Sequence, residues 1–461
     1  MKASGERFLM VGVVVVVLLV VGSIGFQMVT DRNRLSAVAK LKTPEVVQRF
    51  LQANPAKTGK RPAPSKQDRN PPPAAEQLEA NNPNENIAAF AHLTEQRAAL
   101  VKDGRCKEAE DILQNKPVKE WTEDDWALVK EFVDASHDLV LEIRRLAAMG
   151  GPVYELDYSK GVNIELPHLA KLRDLARVLS WDATVRGHDG DYGEAVEDIT
   201  AGFKLSGVLK DEPILISQLV RIAIDGICYG AVQQALPPEG VPPDLARRLI
   251  ESAGRSDCRD SFVGSFSGEG FMGLDTFERI RDGESIGEQT SKDTILLRLY
   301  GSMFARPWLN MDEETYAQTL GRMGEISELP FYEAHPQMEE IKQDVEDLPR
   351  TRVFSRMLLP GLMRVIEAQA RLEVQLDLVQ IGLSVEQYHA QNGAYPATLD
   401  AIAPSIGGGI PVDPFTGQPY RYQVSSGGFL LYSVGADLTD DGGVFDYRKG
   451  DIVWRGVPKN E

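Results

Sequence analysis

The sequence predicts a mainly α chain. It reads as an N-terminal transmembrane helix, an irregular, repeat-like α-helical body, and a C-terminal α+β head of one long helix plus a small antiparallel sheet. Three observations predict this. An apolar run extends from Phe8 to Val29. Apolar residues recur at helical spacing over most of residues 85–360. After Asn392 the pattern changes to short alternating runs set among glycines and prolines. The 461 residues then divide into an anchor (1–30), an amphipathic and Pro-rich linker (31–84), a helical body (85–360) and a head (361–461).

Between Phe8 and Val29 the main polar interruptions are Ser23 and Gln27. About 20 apolar residues cross the hydrocarbon core of a bilayer, so the run fits one span. A cleaved signal peptide is the alternative. Its apolar region would be shorter, and Ser23-Ile24-Gly25 matches a cleavage site poorly. Lys2 and Arg7 precede the run, whereas Arg32, Arg34, Lys40 and Lys42 follow it. That cation count favours a cytoplasmic body; the head, treated below, favours the opposite side.

Leu35 to Leu51 extends the anchor as an amphipathic stretch. Asn54 to Asn84 then carries Pro55, Pro62, Pro64, Pro71, Pro72, Pro73 and Pro83 among polar residues. Such a segment cannot bury enough apolar surface to order itself, and its prolines favour an extended, semi-stiff spacer. The expected role is to hold the body away from the bilayer. Residues 1–75 contain twelve Lys/Arg and four Asp/Glu, while the whole chain carries -18. An acidic body behind a basic leader argues against nucleic acid as a partner, which needs a basic face.

In the body, Leu169, Leu172, Leu175, Ala176 and Leu179 recur as one helix face. Gly190-Asp191-Tyr192-Gly193-Glu194-Ala195 follows and opens a second helix containing Ile199 and Phe203. This word resembles the start of the second helix of a tetratricopeptide hairpin, where a small Ala allows close approach and an aromatic fills the groove. Such hairpins need stacked neighbours. One copy is found, so a generic helical hairpin is an equal reading. Pro213 to Leu236 reads as a buried soluble helix, with Arg221 and Asp225 forming a polar edge. Ser261 to Gly273, rich in Gly, Ser and Phe, lacks the phosphate-loop word and reads as a loop or helix-packing segment.

No catalytic constellation emerges. The six histidines are scattered, and neither HExxH nor GxSxG occurs. His188-Asp189-Gly190-Asp191 is the densest polar cluster, but Asp and Gly are turn formers and the cluster falls between two helices. Asp124-Asp125 and Glu313-Glu314 are expected to open helices, where they complement the dipole. Cys106, Cys228 and Cys258 have no metal-ligand spacing. Free buried thiols and a Cys228–Cys258 disulfide are the two readings. No catalytic or cofactor-binding residue is assigned, and the chain is read as a non-enzyme.

The head begins with a helix from Met363 to Gln391. Ile366, Ala370, Val374, Ile381, Val385 and Tyr388 form its stripe, with Asp377 standing off it. Asn392-Gly393 stops the helix and Pro396 prevents resumption. A short helix around Thr398 to Ile402 follows. Tyr420 to Val424 and Phe429 to Val434 then give a hairpin signal across Ser425 to Gly428.

The last ninety residues carry ordered words: Tyr395-Pro396, Asp413-Pro414-Phe415 with Gly417, Tyr420-x-Tyr422, Ser433-x-Gly435-x-Asp437, Gly442-Gly443 and Asp451-Ile452. In this order and spacing they are similar to the head of the type II secretion major pseudopilin. The resemblance implies a pilin-like head of long helix and small sheet, and a calcium-binding loop near the end. The oxygens for calcium would come from Asp437, Asp440, Asp441 and Asp451, with backbone carbonyls completing a shell of six to eight. An acidic turn without metal is the alternative. One departure is plain. A pseudopilin runs its processed, apolar N-terminal helix straight into the head, whereas here Arg364, Glu367, Arg371, Glu373 and Asp377 occupy that helix.

Together these readings describe a single-pass protein of a bacterial inner membrane, with the bulk of the chain extracytoplasmic. Its expected partners are the membrane, through the N-terminal helix, and other envelope proteins. The expected function is interaction or assembly, possible in connection with type II secretion. The alternative is an envelope hydrolase whose active site lies in the helical body and whose head is a targeting module. A cleft with paired carboxylates of strongly shifted pKa would favour that alternative.

Overall fold

The computed structural model describes residues 26–37, 92–93, 95, 104–150, 154, 156, 158–237, 241–254, 258–283, 302, 305–406, 409–425, 427–444 and 450–454. The apolar run up to residue 25 and the Pro-rich stretch lie outside these residues. What is described is mainly helical with a small three-stranded antiparallel sheet.

The helices, numbered among the described residues, are α1 (Gly104–Asn115), α2 (Glu123–Ala135), α3 (His137–Ala148), α4 (Pro167–His188), α5 (Tyr192–Gly207), α6 (Leu215–Ala235), α7 (Pro243–Gly254), α8 (Cys258–Asp282), α9 (Arg306–Ser327), α10 (Phe331–Glu346) and α11 (Val353–Asn392). The strands are β1 (Arg421–Ser425), β2 (Gly428–Ser433) and β3 (Ile452–Val453), in that order across the sheet. A short 3-10 turn, Leu399–Ser405, replaces the expected helix near Thr398.

The α4–α5 hairpin follows its sequence. Gly190 takes a left-handed φ of 83° at the turn, and the Asp191 side chain caps α5 by accepting from the Glu194 N–H. The polar cluster at 188–191 is thus a turn: Lys130 pairs with Asp189, and His188 stacks on Trp126 at 3.8 Å. α6 then packs on both helices. A Cβ at Gly187 would stand 1.9 Å from the Ala235 carbonyl oxygen, so the α4–α6 approach requires glycine. Although α6 is long and apolar enough to cross a membrane, most of it is buried inside the body. Arg221 and Asp225 are both buried too, instead of forming the expected polar edge.

The two acidic pairs meet different outcomes. Asp125 does open α2, in a capping box with Thr122. Glu313 and Glu314 do not open a helix; they sit two turns into α9, where Glu313 is buried between Arg34 and Arg281. Asp312 beside it caps another helix. Its carboxylate accepts the Phe354 and Ser355 N–H groups at 2.8 and 3.1 Å, at the start of α11. Ser261 to Gly273 belongs to α8 and is helix-packing. Cys228 is buried and free, which removes the Cys228–Cys258 disulfide.

α9, α10 and α11 run up, down and up. The lower ends of α9 and α11 meet through the Asp312 cap. At the upper turn, the Tyr332 N–H donates to the Pro414 carbonyl at 3.0 Å and Phe331 packs edge-on against Phe415. α11 has 40 residues, about 60 Å at 1.5 Å per residue. It begins ten residues before Met363, continues through Pro360, and ends where Gly393 adopts φ 71°. One helix therefore serves both body and head.

The sheet covers the upper part of α11. The β1–β2 hairpin pairs Arg421 with Tyr432 and Ser425 with Gly428, as its alternation implies. Trp454, fully buried after β3, lies against Gly382, where a Cβ would come within 2.3 Å of the indole. Its Nε1–H donates to Glu386 at 3.3 Å. On the other side the Tyr229 hydroxyl donates to the Val453 carbonyl, tying β3 to α6.

The lower end holds a further contact. Residues 26–37 form a helix along α9, although the sequence reading gives residues 31–84 to a linker. Asn310 donates to Asp31 at 2.8 Å and to Thr30 at 3.3 Å, Arg34 pairs with Glu313, and Ala37 packs on Ala317 and Leu274. Positions 30, 34 and 37 thus follow 310, 313 and 317, so the two helices run parallel.

Candidate functional site at the junction of body and head

A cleft of about 550 Å³ opens where α8, α10, α11 and the 411–414 loop meet. Helical spacing puts Glu373, Asp377 and Gln380 on one face of α11, and all three line it. Arg259, in the first turn of α8, grips Glu373 with both nitrogens of its fork. Nε lies 3.0 Å from Oε1, and Nη2 meets Oε2. Two parallel charge-assisted bonds fix the plane of this carboxylate. Gln369 adds a bond at 3.3 Å.

Asp377 has no such cation. Its Oδ2 accepts from the buried Tyr420 hydroxyl at 2.7 Å. Burial pushes its pKa up to about 7; the Tyr420 bond opposes the rise, Glu373 and Asp413 add to it, and Arg259 opposes it. The half-buried side chain still borders the cleft. Glu373 is thus a bridged carboxylate and Asp377 a group able to hold or release a proton near neutrality.

Leu376, the end of α7 at Ala253 and Gly254, and Pro330, Tyr332, Pro411, Val412 and Pro414 complete the lining. The loop is shaped by Asp413, whose carboxylate accepts the Phe415 N–H at 2.9 Å, while Gly417 turns with φ 68° and donates to the Asp413 carbonyl. Burial raises the pKa of Asp413. Of the words Asp413-Pro414-Phe415 and Gly417, Pro414 therefore lines the cleft, while Asp413 and Gly417 shape the loop that carries it. Glu373 and Asp377 were visible in the sequence as charges at i and i+4 on this helix, beside Arg364, Glu367 and Arg371, and not as a site. Arg259 carried no signal, since α8 reaches α11 only in the fold.

A second carboxylate pair lies in the body. Arg144 contacts Asp198 at 2.7 Å and Asp182 at 3.8 Å, and Arg186 bonds Asp182 and Asp134. Burial raises Asp198 well above the ordinary range. Both carboxylates are buried, so this network joins α3, α4 and α5 and offers a ligand no access.

The acidic residues near the chain end are drawn into the sheet edge. Asp451 is buried, and its oxygens accept the Gly443 and Asp441 N–H groups at 2.6 and 3.5 Å. Its pKa is raised by burial first and also by Asp440 and Asp441, so three carboxylates share this corner. Asp440 accepts from Tyr432 at 2.8 Å and meets Arg421 at 3.3 Å. Asp437 turns its carboxylate to the Thr439 N–H. The all-oxygen donor set suits calcium. Even so, among the described residues no three His, Cys, Asp or Glu side chains converge closely enough to hold a metal ion as they stand.

No family model, no curated protein and no solved structure matches this chain.

Proposed function

We propose that this chain is a single-pass, membrane-anchored envelope protein with a non-catalytic interaction or assembly role. In this reading the anchor is the apolar run from residue 8, the body is an irregular helical stack, and the head is of the pseudopilin kind. One observation carries the proposal. A helix of about 60 Å, α11, bears the sheet at its upper end, while the segment following the apolar run docks on α9, whose start is joined to the lower end of α11 by the Asp312 cap. A head displayed at the far end of a rigid stem suits presentation to partners. Asp437, Asp440, Asp441 and Asp451 are the residues proposed to hold calcium there, which would neutralise their shared charge.

A reporter enzyme fused after Glu461 tests the placement. Activity outside the cytoplasm is expected. Activity only inside would show that the cations flanking the anchor set the topology and that the head faces the cytoplasm.

The cleft supports a second reading, a hydrolase with Asp377 as proton donor and Glu373, held by Arg259, as the second carboxylate. A carboxyl raised to about 7 by burial, one helical turn from a second carboxylate, is a usual basis of an acid role. In this form the active site lies at the junction and draws on α11, α8 and the head. Turnover of chromogenic glycosides or esters, lost in both Glu373→Gln and Asp377→Asn, would favour it. Loss of co-purifying envelope proteins in those variants, without any turnover, would favour assembly.

A further inference from the structure

The lower end of the α9–α10–α11 stack exposes large apolar side chains. Trp308 is 44% exposed in the first turn of α9, and Val353 and Met357 are 47% and 62% exposed in the first turns of α11. Phe26, Met28 and Val29 are exposed at the start of the docked segment. The Asp312 cap brings the starts of α9 and α11 together, and the parallel docking of residues 26–37 brings Phe26 to Val29 to the same end. Soluble surfaces seldom gather this many large apolar groups in one place.

The direction of the chain says what covers them. Toward its N-terminus, the docked helix leads past the first turn of α9, away from the sheet. The residues in that direction are the apolar run from Phe8. Tryptophan at such a boundary is suited to the interface, where its ring is apolar and its N–H stays wet.

The contacts holding this arrangement are specific. Glu313 is buried and takes both Arg34 and Arg281, and Asn310 takes Thr30 and Asp31. A carboxylate in that position stays ionised only with its cations; burial raises its pKa and the two arginines oppose the rise. Removing one partner from a buried pair is costly.

We propose that the lower end of the stack, with Trp308 and Met357 at its rim, sits in the bilayer interface, held there by the latch of residues 30–37 on α9. The body then stands on the membrane with its head pointing away. The Pro-rich stretch is not what sets its height. This rests on the reading of residues 8–29 as a membrane anchor.

The test uses the full chain in phosphatidylcholine nanodiscs, with a nitroxide at Met357→Cys, at Trp308→Cys or, on the head, at Leu438→Cys. Cys106 and Cys258 are changed to Ser, and buried Cys228 is kept. Electron paramagnetic resonance compares collisions with oxygen and with an aqueous nickel chelate. Several-fold lower nickel access is expected at 308 and 357 than at 438. Equal nickel access at all three positions would overturn the proposal. Arg34→Ala should raise nickel access at 357 to the value at 438, while Arg34→Lys should not. An unchanged depth in Arg34→Ala would overturn the latch. Carbonate extraction of membranes separates the two claims: release of the wild-type chain would remove the anchor itself, whereas retention with a wet 357 removes only this inference.

Discussion

Replacing Asp377 by Asn should make the protein more stable at pH 8 than at pH 5, relative to wild type. The ordinary carboxyl pKa is about 3.9 in an unfolded chain, and burial raises this one to about 7. For a raised carboxyl, the stabilising contribution is complete below pH ~3.9. It is lost as pH rises, because the unfolded state releases its proton first. Between pH 5 and the folded value of about 7 lie about two pH units, and at about 1.36 kcal/mol each they give a ceiling near ~2.7 kcal/mol for the comparison. Asp377 is only half-buried, so solvent screening brings the figure to ~1 kcal/mol. For 461 residues that corresponds to roughly 1 °C in melting temperature. Glu373, Asp413, Arg259 and Tyr420 all face this carboxyl, and they are unchanged in the variant. Fluorimetric melts of the detergent-solubilised full chain supply the readout. Any cost of altering the bond to Tyr420 appears equally at both pH values and cancels. The same offset between variant and wild type at pH 5 and pH 8 would refute the reasoning.

Gly382→Ala should destabilise by about 1–3 kcal/mol through overpacking against Trp454, and Trp454→Ala by about 3–5 kcal/mol. The double variant should cost less than their sum, since the new methyl enters the space the indole leaves; additive melts would contradict the contact. Millimolar calcium should raise the melting temperature of the full chain, by an amount corresponding to about 2.7 kcal/mol at a hundredfold excess over the dissociation constant. A chelator should reverse the shift and Asp441→Ala should remove most of it. Identical melts with calcium and with chelator would leave an acidic turn.

Much of the architecture was legible because it depends on local chemistry. The α4–α5 hairpin follows from Gly190, which can take a positive φ, and Asp191, which can cap. The end of α11 follows from Gly393, and the β1–β2 register from alternation across a short turn. The start of α11 was not legible. Pro360 marked a boundary in the sequence, yet the helix runs through it from Val353, capped by an Asp312 that is forty residues away.

The sequence by itself determined that apolar helices alternate with turns, that a sheet closes the chain, and that acidic residues gather beside its last strand. Each of these depends on spacing within a few residues. Tertiary structure alone decided what the charges do. Glu313 reads as a helix-opening acid but is a buried partner for two arginines, one of them 279 positions away. Asp377 reads as a flaw in a stripe but borders a cleft, its pKa raised because burial takes it out of water and the charges of Glu373 and Asp413 lie close by. Burial and long-range pairing set the energy of a charge, and neither is encoded in local spacing.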